Sequence, residues 1–189
     1  MSPQLVALNL EFGISSEFLA ARHLFEHPEA SCLEIVETGS DGQDHLLKPA
    51  AANAWRNLKA AALEDDISLF IVSAFRSVDR QTEIVRRKLE AGESIEEVFS
   101  VCAPPGFSEH HTGRAVDIST PGSPVLQVEF EHTPAFAWLG ACAAEFGFFL
   151  SYPRGNRFGY QYEPWHWCFD DRISRDSAQI AVMNPRVPD

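Results

Sequence analysis

The apolar residues of this chain come in short runs, each cut off by proline, glycine or an acid, and no other feature narrows the fold as much. Val6–Phe12, Cys32–Val36, Leu69–Val72, Arg114–Ser119, Phe148–Tyr152 and Tyr160–Phe169 have the length and composition of strands. None approaches the roughly 20 apolar residues of a membrane-spanning helix. Between them lie segments with helical spacing. Ser15–Glu26 places Phe18, Leu19, Ala21 and Phe25 on one side, and Pro49–Leu63 does the same with Trp55, Leu58 and Ala62. Asp79–Ala91 stops at Gly92, and Ser94 with Glu97 forms a capping box for a further short helix. Thr133-Pro134 opens a helix expected to run through Phe146 and to close at Gly147. Thr38–Asp44 and Pro153–Gly159 read as turns and Cys102–Phe107 as loop. Interleaving of this kind predicts an α+β fold, a mostly antiparallel sheet with helices packed on it.

At 189 residues the chain has room for one compact domain. Residues 1–45 read as an N-terminal extension, a strand plus a short helix packed on the core. Residues 46–170 form the body, and residues 171–189 a loosely held polar tail. Hydrophobic residues at 45 % and charged residues at 22 % exclude a disordered, collagen-like or coiled-coil chain. The net charge of -12 and pI near 4.9 argue against a nucleic-acid partner, which needs a basic footprint. Oligomeric state is not legible. The four cysteines are scattered, with no C-x-x-C pair, so reduced and mostly buried thiols are expected. The first residues lack a basic start followed by an apolar run. A cytoplasmic setting is therefore expected, with the periplasm or cell wall the alternative if a leader has been removed.

Chemistry concentrates in three stretches: Ser73–Gln81, Ser108–Asp117 and Glu163–Trp167. A catalytic zinc takes three protein ligands and leaves its fourth position to water. His110, Asp117 and His166 offer two imidazoles and a carboxylate. His111 competes with His110, because neighbours on an extended chain point apart and spacing does not choose between them. Glu163 stands three residues before His166, where a turn can hold it beside a metal without binding it, the address of a general base. Gly113 fits a sharp turn ahead of Asp117. In an extended Arg114–Ser119, Ala115 and Asp117 share one face and Val116 and Ile118 the other. Trp165 and Trp167 can wall the site. His23, His27, His45 and His132 stand alone and read as surface or structural residues. Cys168 reads as a buried thiol rather than a soft ligand.

Ser108-x-His110-x-x-Gly113-x-Ala115-x-Asp117, followed 46 residues later by Glu163-x-x-His166-Trp167, resembles the zinc D-alanyl-D-alanine carboxypeptidases of the VanY type. That family belongs to a wider group with lysostaphin-type enzymes and hedgehog signalling domains, and the resemblance covers about Leu46 to Phe169. It implies that residues 46–170 are a zinc peptidase domain of that fold, with His110, Asp117 and His166 as Zn2+ ligands and Glu163 as catalytic base. It also decides for His110 over His111. The family's aromatic-Arg-Ser segment, with Gln five residues after the Arg, matches Phe75-Arg76-Ser77 and Gln81. It points to Arg76 as a catalytic and substrate-binding guanidinium, with Gln81, Ser108 and Trp165 as further substrate contacts. A guanidinium suits either a free carboxylate or an oxyanion. Two positions depart from the family pattern: Cys168 stands where Arg is common, and Phe75 where Tyr is common. The implied activity is release of terminal D-alanine from peptidoglycan stem peptides or precursors. Alternatives on the same metal site are an L,D-carboxypeptidase, a D,D-dipeptidase, an endolysin-type endopeptidase or a non-catalytic zinc-containing binding module.

Overall fold

The computed structural model describes residues 1–170; the expected tail at 171–189 lies outside them. The chain runs through helices α1 (Pro3–Glu11) and α2 (Ser16–Ala21) and strands β1 (Glu34–Thr38) and β2 (Asp44–Leu47). Helix α3 (Pro49–Glu64), strand β3 (Phe70–Ser73), helices α4 (Val78–Glu90) and α5 (Ile95–Val101) and strand β4 (Ala115–Ser119) follow. Helix α6 (Pro134–Cys142) and strands β5 (Phe148–Leu150) and β6 (His166–Phe169) complete it. β1 and β2 form an antiparallel hairpin, and the main sheet has the order β3-β4-β6-β5, antiparallel throughout. The expected α+β architecture is the one observed.

Local chemistry explains the helices. Pro49 opens α3 at a position where the missing N–H is harmless, and Ala51, Ala52, Trp55, Leu58 and Ala62 form its buried stripe. Ser77 caps α4 by accepting from Arg80 N, while Arg87 and Lys88 occupy its last turn, where cations offset the exposed carbonyls. Ser94 and Glu97 cap α5 reciprocally. β4 is buried along its whole length. Val116 and Ile118 enter the main core with Leu47, Trp55, Leu58, Phe148 and Trp167. A second cluster joins Phe12, Ile14 and Leu19 to Val85, Val98, Phe99 and Phe107. Backbone hydrogen bonds from His27 N to Gly106 O and from Ala30 N to His111 O fasten the N-terminal segment to the body.

Several expected elements change. Val6–Phe12 is not a strand but lies largely within α1. Ser2 caps that helix and Pro3 takes its first turn, and the inward residues Leu5, Leu8, Asn9 and Phe12 recur at helical spacing. The N-terminal extension therefore opens with two helices ahead of β1, not with a strand and a helix. The helix expected over Ser15–Glu26 ends at Ala21, and the strand expected at Cys32–Val36 lies at Glu34–Thr38. β2 was hidden between the Thr38–Asp44 turn and Pro49, because only Leu46 and Leu47 mark it and pairing with β1 supplies the rest. The helix after Thr133 is α-helical only to Cys142. Ala143–Phe146 tightens into a 3₁₀ turn before Gly147, at φ +79°. The final strand occupies only His166–Phe169 of the extended stretch expected from Tyr160.

Candidate active site

One row of the sheet carries the site. Register pairs Ser73 with Asp117 and Asp117 with His166, so adjacent strands set three polar side chains side by side. Alternation does the sorting: Val116, Ile118 and Trp167 pack into the core, while Asp117 and His166 face the other way into a groove of about 810 Å³. That groove is also lined by Arg76, Ser108, His110, Glu163 and Trp165.

His110 arrives from a 3₁₀ turn, Glu109–Thr112, whose first hydrogen bond runs from His110 N to Ser108 Oγ at 3.4 Å. Gly113 ends the turn at φ +64°, and a Cβ there would lie 2.7 Å from Leu33 Cδ2. Both the backbone and the space thus call for glycine.

Tautomers follow from the partners. His110 Nδ1 lies 2.6 Å from the Ala74 carbonyl, which can only accept, so Nδ1 carries the hydrogen and Nε2 presents a lone pair. That lone pair sits 3.3 Å from Asp117 Oδ2. Burial pulls the His110 pKa down to about 4, so a neutral nitrogen faces a carboxylate oxygen. His166 Nδ1 lies 2.9 Å from Asp117 Oδ1. The three donor groups are buried and fall within 4.8 Å of one another. Two imidazole nitrogens and a carboxylate arranged this way suit a divalent cation of the zinc type.

Glu163 reaches its place through a tight turn in which His166 N donates to Glu163 O. Its carboxylate lies 3.9 Å from His166 Nδ1, beside the donors but outside their trio. Burial raises its pKa to about 7, the value suited to a group that takes and returns a proton near neutrality. Burial alone would lower the His166 pKa, but hydrogen bonds to Asp117 and Glu109 push it up to about 10. Burial opposes ionisation of Asp117 as well, yet the hydrogen bond from His166 to its Oδ1 helps hold it far below the usual carboxylate range.

Arg76 extends over the same row. Its Nη1 donates to Gln81 Oε1 at 2.8 Å and its Nη2 to Ser73 Oγ at 3.2 Å, with Asp117 Oδ2 3.9 Å away. Gln81 is fully buried and does not line the groove. Its amide donates to Ala103 O at 2.6 Å, so it acts on the groove through Arg76. His111 is also fully buried. Its Nδ1 donates to Arg76 O at 2.6 Å and its Nε2 accepts from Gly106 N at 3.1 Å, which leaves neither nitrogen for a metal. His23, His27, His45, His132 and Cys168 stand outside the donor trio. Spacing gave no sign of two further residues. The Tyr152 ring stacks on His166, centroids 4.6 Å apart. Glu109 Oε2 meets His166 Nε2 at 3.0 Å.

The family model described as VanY, D-alanyl-D-alanine carboxypeptidase, matches residues 44–172. The chain belongs to that family. Among its relatives is the Bacillus subtilis protein YodJ, 34 % identical over 145 residues, or 75 % of this chain and 52 % of YodJ. The chain thus spans about half of that relative's length. The bifunctional D-Ala-D-Ala dipeptidase and carboxypeptidase VanXYC of Enterococcus gallinarum is 31 % identical over 67 % of this chain and 68 % of its own. Among solved structures, the LdcB LD-carboxypeptidase superposes with a TM-score of 0.69 at 29 % identity, covering 81 % of this chain and 73 % of LdcB. VanYB in complex with D-alanine-D-alanine shares the fold, with a TM-score of 0.63 at 24 % identity over 84 % of this chain and 87 % of its own.

Proposed function

We propose that this chain is a zinc-dependent D,D-carboxypeptidase that releases the terminal D-alanine of peptidoglycan stem peptides. The observation that carries the reading is the bare Nε2 of His110 facing the Asp117 carboxylate, with His166 Nδ1 on its other oxygen and Glu163 alongside. His110, Asp117 and His166 would hold the metal. When bound, zinc supplies a Lewis acid that acidifies water to a pKa of about 7 and polarises a carbonyl. Glu163 takes the proton of the attacking water and returns it to the leaving amine. The Arg76 guanidinium, fixed by Gln81 and Ser73, has groove-facing donor capacity for a substrate carboxylate or a developing oxyanion. Trp165 and Ser108 line the groove and supply its wall, Ser108 also bracing the His110 turn.

The likeness to LdcB supports a second reading, an L,D-carboxypeptidase on the same centre. Pocket shape rather than metal chemistry separates the two. Incubation of the zinc-loaded protein with defined pentapeptide and tetrapeptide stems tests both. Release of the fifth residue supports the first reading and release of the fourth the second. Cleavage of neither stem overturns both, and activity that survives removal of zinc by a chelator overturns the metal mechanism.

A further inference from the structure

The two glutamates beside His166 sit on opposite edges of its ring. Glu163 is near Nδ1, while Glu109 meets Nε2 at 3.0 Å. Glu109 is held in turn by Ser151, whose Oγ donates to the same Oε2 at 2.6 Å. Glu109 thus engages the Nε2 edge of His166, and the opposite Nδ1 edge is the one that faces Asp117, 2.9 Å from Oδ1, on the side of His110. Tyr152 fixes the plane of the same ring by stacking. Glu109 also belongs to the 3₁₀ turn that presents His110, so one turn provides one member of the donor trio and aims another.

We infer that Glu109 is a positioning residue: it selects Nδ1 of His166 as the metal-binding nitrogen and raises its donor strength, with Ser151 fixing the carboxylate. The inference rests on the proposed zinc site but not on the bond that is cut. From the far edge of the ring the Glu109 carboxylate reaches the donor trio through His166, which separates its part from that of Glu163. Without Glu109, Nε2 would be a buried donor lacking its partner, and the ring would lose the contact that holds its far edge.

Zinc affinity of Glu109→Ala, Glu109→Gln and Ser151→Ala, measured by competition with a chromophoric chelator, tests the inference. The absorption spectrum of the Co2+ form is recorded beside it. Loss of such a partner costs about 10- to 100-fold in metal affinity, and that loss is expected for Glu109→Ala, with an altered cobalt spectrum. Glu109→Gln keeps an accepting oxygen in the same place and is expected to recover part of it. Ser151→Ala should weaken binding less. If Glu109→Ala fails to fold, Glu109→Gln carries the comparison. The inference is overturned if folded variants bind zinc within twofold of the parent with an unchanged cobalt spectrum. It falls equally if only the thermal stability of the metal-free protein drops. A parent that binds zinc but cleaves no stem peptide refutes the proposed function and leaves this inference standing. A parent that binds no zinc refutes both.

Discussion

The sheet row that bears Asp117 and His166 and the N-terminal helices that share an apolar cluster with α4 and α5 treat buried polar groups in opposite ways. In the row every buried polar group has a counterpart. Asp117 lies between two imidazoles, His166 between two carboxylates, and His110 and His111 each rest on a carbonyl. In the N-terminal packing, apolar contact dominates and polar groups are left over. Among the described residues, buried side-chain atoms without a hydrogen bond are Asn9 Oδ1, Arg22 Nη2, Ser119 Oγ and Tyr160 Oη. Two of these belong to the N-terminal helices and their flank, and a third, Tyr160, lies under the Arg22 guanidinium at 4.6 Å. The fourth, Ser119, ends β4 two residues beyond Asp117 and pairs with Phe70, outside the row. The contrast teaches that this fold keeps close polar matching where geometry must be held to tenths of an ångström, and relies on non-directional burial where it need only cohere.

Three substitutions probe that difference, in falling order of effect. Glu163→Gln is expected to lower turnover by about 10²- to 10⁴-fold, the contribution of a positioned proton carrier, while zinc content stays at the parent level by elemental analysis. A variant with parental activity would remove Glu163 from the row's chemistry. His166→Ala should lose stoichiometric zinc by the same analysis, since it deletes a donor and leaves Asp117 and Glu109 as facing carboxylates. Retained zinc would show that the row is not the metal site. Leu19→Ala, on the N-terminal side, should cost about 2–4 kcal/mol in denaturant unfolding through lost burial and the cavity left behind, with zinc affinity unchanged. A large change in zinc affinity there would erase the distinction between the two regions.

Much of the row could be read from the sequence. The alternation of Ala115 to Ile118 announced a strand with one polar edge, and Gly113 announced the turn before it. The choice of His110 over His111 needed a resemblance, because the deciding facts are the carbonyls of Ala74 and Arg76, brought in from a distant strand end. Glu109 escaped notice for the same reason: its partner lies 57 positions away and no local pattern marks the pairing. Among the N-terminal residues, Leu5, Leu8 and Phe12 offered enough apolar content for either period. Only the Ser2-Pro3 cap and the burial of Phe12 in the cluster that holds Val98 and Phe99 favour the helix.

The pairing of Asp117 with His166 has a consequence for how the chain matures. Because neighbouring positions on β4 and β6 point to opposite sides, a slip of one residue would turn Val116 and Trp167 out to water and drive an acid and an imidazole into the oily interior. The strand alignment that buries the apolar residues is therefore the same alignment that brings Asp117 and His166 together. A chain that has found its stable interior has already assembled its chemistry, and one that has missed it holds neither.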